Sequence, residues 1–191
     1  MKSLLKILML LIISFAATSA NAQHLDFMRI PINGTIANFQ SKLLNKGCSI
    51  MKNNSRIPVG IRGYDGIFAG KQAQIFVYYN PKTQIVYQAR AAIDCGESKE
   101  NANNMFYRYK RMLFDKYEGV SLNSDMLEEQ KEFECSLMVL QPPIKEGSKL
   151  LGSINVYIVD TDAYPVEYSL IINYSDFDNS SKNEKSELDD L

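Results

Sequence analysis

Polar and apolar residues change period several times along this chain, and each change predicts an element. In "HLDFMRI" Leu25, Phe27 and Arg29 alternate with Asp26 and Met28, a period-two pattern that predicts a short strand, stopped at Pro31. Ile36, Phe39, Leu43 and Leu44 then form one apolar stripe at helical spacing. Asn33 or Thr35 can accept a bond from a free N–H at the start of that helix, and Gly47 supplies the left-handed residue at its end. Asn33-Gly34-Thr35 is formally a glycosylation sequon, which its position at a helix start explains sufficiently.

A β-rich run follows. "IPVGIRGYDGIFAG" carries Gly60, Gly63, Gly66 and Gly70, which mark bulges or close backbone approach in a strand. A phosphate loop would need a Gly-Lys-Ser/Thr ending or a strand-to-helix turn, and neither is there. Ala73, Ile75, Val77 and Tyr79 alternate along the next strand, and Asn80-Pro81-Lys82-Thr83 predicts a turn. Ile85, Tyr87, Ala89, Ala91, Ile93 and Cys95 then share one strand face, against Gln88, Arg90 and Asp94. Met105, Tyr109, Met112, Leu113 and Tyr117, or the neighbouring Phe106, predict a second helix over 100–118, ended by Gly119. Its Arg108, Lys110, Arg111 and Lys116 read as a solvated outer face, interrupted by Asp115 and Glu118. Three strands close the pattern in "EFECSLMVL", "LLGSINVYIVD" and "YPVEYSLIINYSD".

The expected fold is therefore α+β: an antiparallel meander with two helices on one face. The order of elements suggests two half-repeats, each a helix followed by three or four strands. Residues 23–175 suit a single domain.

The ends of the chain read differently. Residues 1–22 have a basic start at Lys2 and Lys6, an apolar run from Ile7 to Phe15, and small residues at Ala20-Asn21-Ala22. This predicts a signal peptide cleaved after Ala22, the run being shorter than the about 20 apolar residues of a membrane span. The expected location is the periplasm or surface of a Gram-negative bacterium, with no transmembrane span in the mature chain. Residues 176–191 are polar and acidic and read as a disordered tail. Asp176, Asp178, Ser180, Lys182, Glu184 and Glu187 fall at calcium-loop spacing, but Ser181 stands where that loop needs Gly.

Charge narrows the partners. The chain has 21 Lys+Arg and 22 Asp+Glu; without Lys2 and Lys6 that becomes 19 against 22, or −3. Nucleic acid, which demands a basic footprint, is not expected.

Export permits disulfides. Cys95 and Cys135 both fall on inward strand faces and are the preferred pair, leaving Cys48 as a buried thiol. The alternative is that all three are reduced and buried. His24 is the single histidine, placed near the mature N-terminus and outside the predicted core. Histidine-based triads and zinc sites are thus poorly supplied, and no cofactor is expected. Asp160 with Asp162 and Glu128 with Glu129 are carboxylate pairs, but adjacent turn residues rarely flank a sugar across a cleft. There is no Trp, although 11 Tyr could stack on a sugar ring.

Phe27, Ile30-Pro31-Ile32, Gly34-Thr35, Phe39, Leu43 and Lys46-Gly47, then Gly66-Ile67-Phe68-Ala69-Gly70, and later Tyr107, Lys110, Leu113 and Lys116-Tyr117 give residues 25–119 a resemblance. The chain resembles small secreted proteins of unassigned function from Bacteroides-type gut bacteria. That resemblance implies an exported or envelope location. It also implies an α+β fold similar to the helix-plus-meander modules of β-lactamase inhibitor proteins and outer-membrane assembly lipoproteins. It carries over no site residue, and Cys48 stands where an aromatic is common.

Two functions remain as expectations. The first is a non-enzymatic binding or interaction module whose partner is an unknown protein or envelope component. Phe76 and Tyr78, outward on their strand, motivate it, although they could equally belong to a second core layer. The alternative is a carboxylate-based carbohydrate-active hydrolase.

Overall fold

Met28 (φ 53°) and Arg29 (φ 59°) both hold left-handed backbone and close a two-residue turn between β1 (Asp26–Phe27) and β2 (Ile30–Pro31). The expected short strand is therefore a small hairpin. The computed structural model describes residues 23–52, 57–117, 120–122, 133–162 and 164–188. The expected signal peptide, its cleavage point after Ala22, and the Glu128–Glu129 pair lie outside the described residues.

Helix α1 (Ile36–Asn45) starts at Thr35, whose Oγ1 accepts the Asn38 N–H at 3.4 Å. It stops before Gly47 (φ 84°). Strands β3 (Ser49–Ile50), β4 (Ile61–Phe68), β5 (Lys71–Tyr79) and β6 (Val86–Gly96) follow. Helix α2 (Lys99–Lys116) is capped by Ser98, whose Oγ accepts the Asn101 N–H at 3.1 Å. Then come β7 (Val120–Leu122), β8 (Glu134–Leu140), β9 (Leu150–Asp160) and β10 (Tyr168–Asp176).

All sheet pairs are antiparallel, in the order β3-β4-β5-β6-β10-β9-β8-β7. Among the described residues, α1 followed by β3–β6 builds one half of this sheet and α2 followed by β7–β10 the other. The last strand of each half, β6 and β10, meet at the centre, with Asn173 opposite Arg90. The fold is α+β, as the periodicity predicts.

One sheet face holds the core. Ile75 and Val77 on β5, Ala91 and Ile93 on β6, Ile172 and Tyr174 on β10, and Ile154 and Val156 on β9 pack with Phe39 and Leu43 of α1 and Phe106 and Tyr109 of α2. Phe27 stacks on Phe68 at 5.3 Å and meets the Tyr174 ring edge-on at 5.3 Å, which ties the N-terminal hairpin to both halves. Each such fully buried large side chain contributes about 1.5–3 kcal/mol. The glycines of β4 serve close packing: a Cβ on Gly66 would stand 2.6 Å from Cys48 Sγ.

The expected disordered tail needs correction. β10 runs to Asp176 and leads directly into helix α3 (Phe177–Leu188). Polar contacts hold it rather than an apolar stripe. Asn179 Nδ2 donates to the carbonyls of Ile32 (2.9 Å) and Val86 (3.1 Å), and Asn80 Nδ2 donates to Asn183 Oδ1 at 2.9 Å. Both Asn179 and Asn183 are buried.

Candidate functional site

The expected Cys95–Cys135 disulfide is absent: Cys48, Cys95 and Cys135 are all free and buried. Cys95 lies on β6 and Cys135 on β8, with β10 and β9 between them. Three strand spacings put about 14 Å between them, whereas a disulfide needs Cα atoms about 4.4–6.8 Å apart. The inward alternation was correct for both residues, but it says nothing of strand order. Cys95 Sγ instead lies 3.7 Å from Met105 Sδ. Burial pushes all three thiols up from their ordinary pKa, which holds them in the unreactive protonated form.

The six calcium-spaced positions do not form a loop. Asp176 ends a strand, and the other five lie on α3. Asp160 and Asp162 are exposed at the β9–β10 turn.

Phe76 and Tyr78 are half-buried on the sheet face opposite the core, and neither joins the core cluster. A row crosses the seam between the two halves on this face: Phe76 on β5, Arg90 on β6, Asn173 on β10, Asn155 on β9 and Ser136 on β8 stand directly opposite one another. Gln88 Nε2 donates to Asn173 Oδ1 at 2.7 Å, and Ser136 Oγ donates to Asn155 Oδ1 at 2.6 Å. The Arg90 guanidinium lies 5.1 Å over the Tyr78 ring and reaches Asn173 Oδ1 at 3.5 Å. Among the described residues it forms no ion pair. Burial raises the Tyr78 pKa, with Arg90 opposing in part.

The second feature escaped sequence reasoning. His24 is only 13% exposed and its Nδ1 lies 3.0 Å from Asp176 Oδ2, a carboxylate that is 1% exposed. The same Oδ2 accepts the Leu25 N–H at 3.0 Å, and Oδ1 accepts the Asn179 N–H at 3.1 Å, in the manner of a helix N-cap. A carboxylate can only accept, so the His24 Nδ1 carries the hydrogen. His24 lines a cavity of about 940 Å³ between the N-terminal hairpin, the end of α2 and the β8–β9 turn. At the α2 end Lys116 Nζ donates to Tyr117 Oη at 2.7 Å, and that hydroxyl donates to the Asp26 carbonyl at 3.4 Å. The one available signal was local: an Asp three residues before an Asn, at the start of a segment without β-branched residues.

No family model, curated protein or solved structure matches the chain. No helix among the described residues is long and apolar enough to cross a membrane. Among those residues no group of three or more His, Cys, Asp and Glu could hold a metal ion.

Proposed function

We propose that this chain is a non-enzymatic binding module of the cell envelope, exported by its N-terminal segment, which docks a protein partner on the open face of its sheet. The observation that carries the reading is Arg90: a guanidinium at the central seam, held over Tyr78 and beside Asn173, with no carboxylate paired to it among the described residues. A pre-oriented Arg flanked by aromatic and amide side chains is the composition of binding hot spots. Its fork recognises a carboxylate in two-point fashion, so the partner is expected to present an Asp, a Glu or a chain terminus there.

The hydrolase alternative has less behind it. Of the acids lining the cavity, Asp115 is 74% exposed and lies 3.9 Å from Arg111, the opposite of a buried proton donor.

The test is affinity capture from envelope extract with the wild-type chain and with Arg90→Ala and Tyr78→Ala, each checked for unchanged unfolding. Loss of the same captured band from both variants supports the reading. A captured set identical across all three would overturn it.

A further inference from the structure

The cavity beside His24 is a separate matter from the open face, and its lining is chemically specific. Its floor is apolar: Leu25, Val139 and Leu151 are buried and belong to the core cluster. Its polar wall is mixed in sign, with the Asp26 and Asp115 carboxylates, the Lys116 ammonium and the amides of Gln23 and Asn33. His24 is built in rather than adventitious. Asp176, wholly buried, holds its Nδ1–H, and this leaves Nε2 as the ring's other hydrogen-bonding atom.

That balance selects among ligands. With Asp115 beside Arg111, a strongly anionic ligand would meet the Asp26 carboxylate and a strongly cationic one would meet Lys116. A neutral polyhydroxylated molecule suffers neither. Each hydroxyl both donates and accepts, so one ring can donate to Asp26 and hydrogen-bond to His24 Nε2 while accepting from Lys116 and the amides. Its C–H face can lie on the apolar floor. A volume of about 940 Å³ falls within the range of ligand pockets, about 300–1,000 Å³, and has room for a sugar ring. We propose that this cavity is a binding site for a neutral sugar, held by His24, Asp26 and Lys116 without cleavage of a bond.

Saturation-transfer NMR on the purified protein tests this with glucose, galactose, mannose and N-acetylglucosamine as probes, and with dodecanoate and dodecyltrimethylammonium as charged comparisons. At least one sugar is expected to bind saturably in the millimolar range. His24→Asn keeps an N–H for Asp176 but removes Nε2, and Asp26→Asn alters an exposed position; each should weaken that binding by about 10-fold. Both variants are to be checked for an unchanged unfolding midpoint, and Asp26→Asn still reports if His24→Asn fails to fold. Binding by none of the sugars, binding unchanged in the folded variants, or tighter binding of either charged amphiphile would each overturn the proposal.

Discussion

His24 and Asp176 are 152 positions apart in the chain, and their side chains meet at 3.0 Å. The contact joins the N-terminal hairpin to the junction of β10 and α3, and Asp176 makes it while also holding the backbone N–H groups of Leu25 and Asn179. Three donors converge on one buried carboxylate. Asp176→Ala would orphan two buried backbone donors at once, a cost of about 2–4 kcal/mol. Urea denaturation should show this as a lower midpoint with an unchanged slope. A loss below about 1 kcal/mol would mean that water replaces the carboxylate without penalty.

Asn179 makes a similar claim for α3. Its side chain satisfies the carbonyls of Ile32 and Val86, which precede it by 147 and 93 residues. Asn179→Ala is expected to cost about 1–3 kcal/mol by the same measurement. If α3 were a passenger on the surface, the variant would match the wild type.

These two residues also show where the sequence stopped being legible. The β-strands and the first two helices were readable because Ile75, Val77, Ala91 and Ile93, and likewise Phe39 and Leu43, are apolar at the period of their element. Helix α3 buries Asn179 and Asn183 instead, and a buried amide stripe leaves no hydrophobic period to detect. The short edge strands β3 and β7, of two and three residues, are set by pairing to β4 and β8 rather than by pattern. The outward placement of Phe76 and Tyr78 followed from alternation. The neighbours of Arg90 did not, because Asn173 faces it only once β6 and β10 have been brought together across the seam. The same missing strand order produced the expectation of a Cys95–Cys135 bond.

The thiols report directly on that strand order. With all three cysteines free and buried, a native sample should resist alkylation, and the denatured chain should take up three equivalents without a reductant. Labelling of the folded protein is expected to be at least about 100-fold slower, limited by opening of the core. Mass analysis under non-reducing conditions that finds Cys95 joined to Cys135 would contradict the strand order itself.

Gly152 tests the packing of the second half. It sits opposite Asp176 on β10, and a Cβ there would run into the Ser175 carbonyl and lie 3.2 Å from Leu25 Cδ2. The obstacle is backbone, so it cannot rotate away. Gly152→Ala should therefore destabilise by about 1–3 kcal/mol, although Ala is the smallest possible addition. A thermal midpoint equal to that of the wild type would show that β9 and β10 can separate there at no cost.

Lys149 Nζ lies 2.6 Å from Asp178 Oδ2 in the first turn of α3, and this bond, before any other cause, lowers the Asp178 pKa. A carboxyl whose pKa falls on folding contributes stability above its ordinary value, about 3.9, and loses it as pH drops through the lowered one. Both side chains are partly exposed, so solvent screens the pair and the contribution is about 0.5 kcal/mol. Lys149→Met keeps the length of the stem and removes the charge. Wild type should exceed this variant in stability at neutral pH, and the gap should close as Asp178 protonates, below about pH 4. High salt should narrow the gap at neutral pH as well. A gap that persists unchanged into strong acid would assign the effect of Lys149 to packing of its stem, since a charge effect cannot survive the loss of its partner's charge.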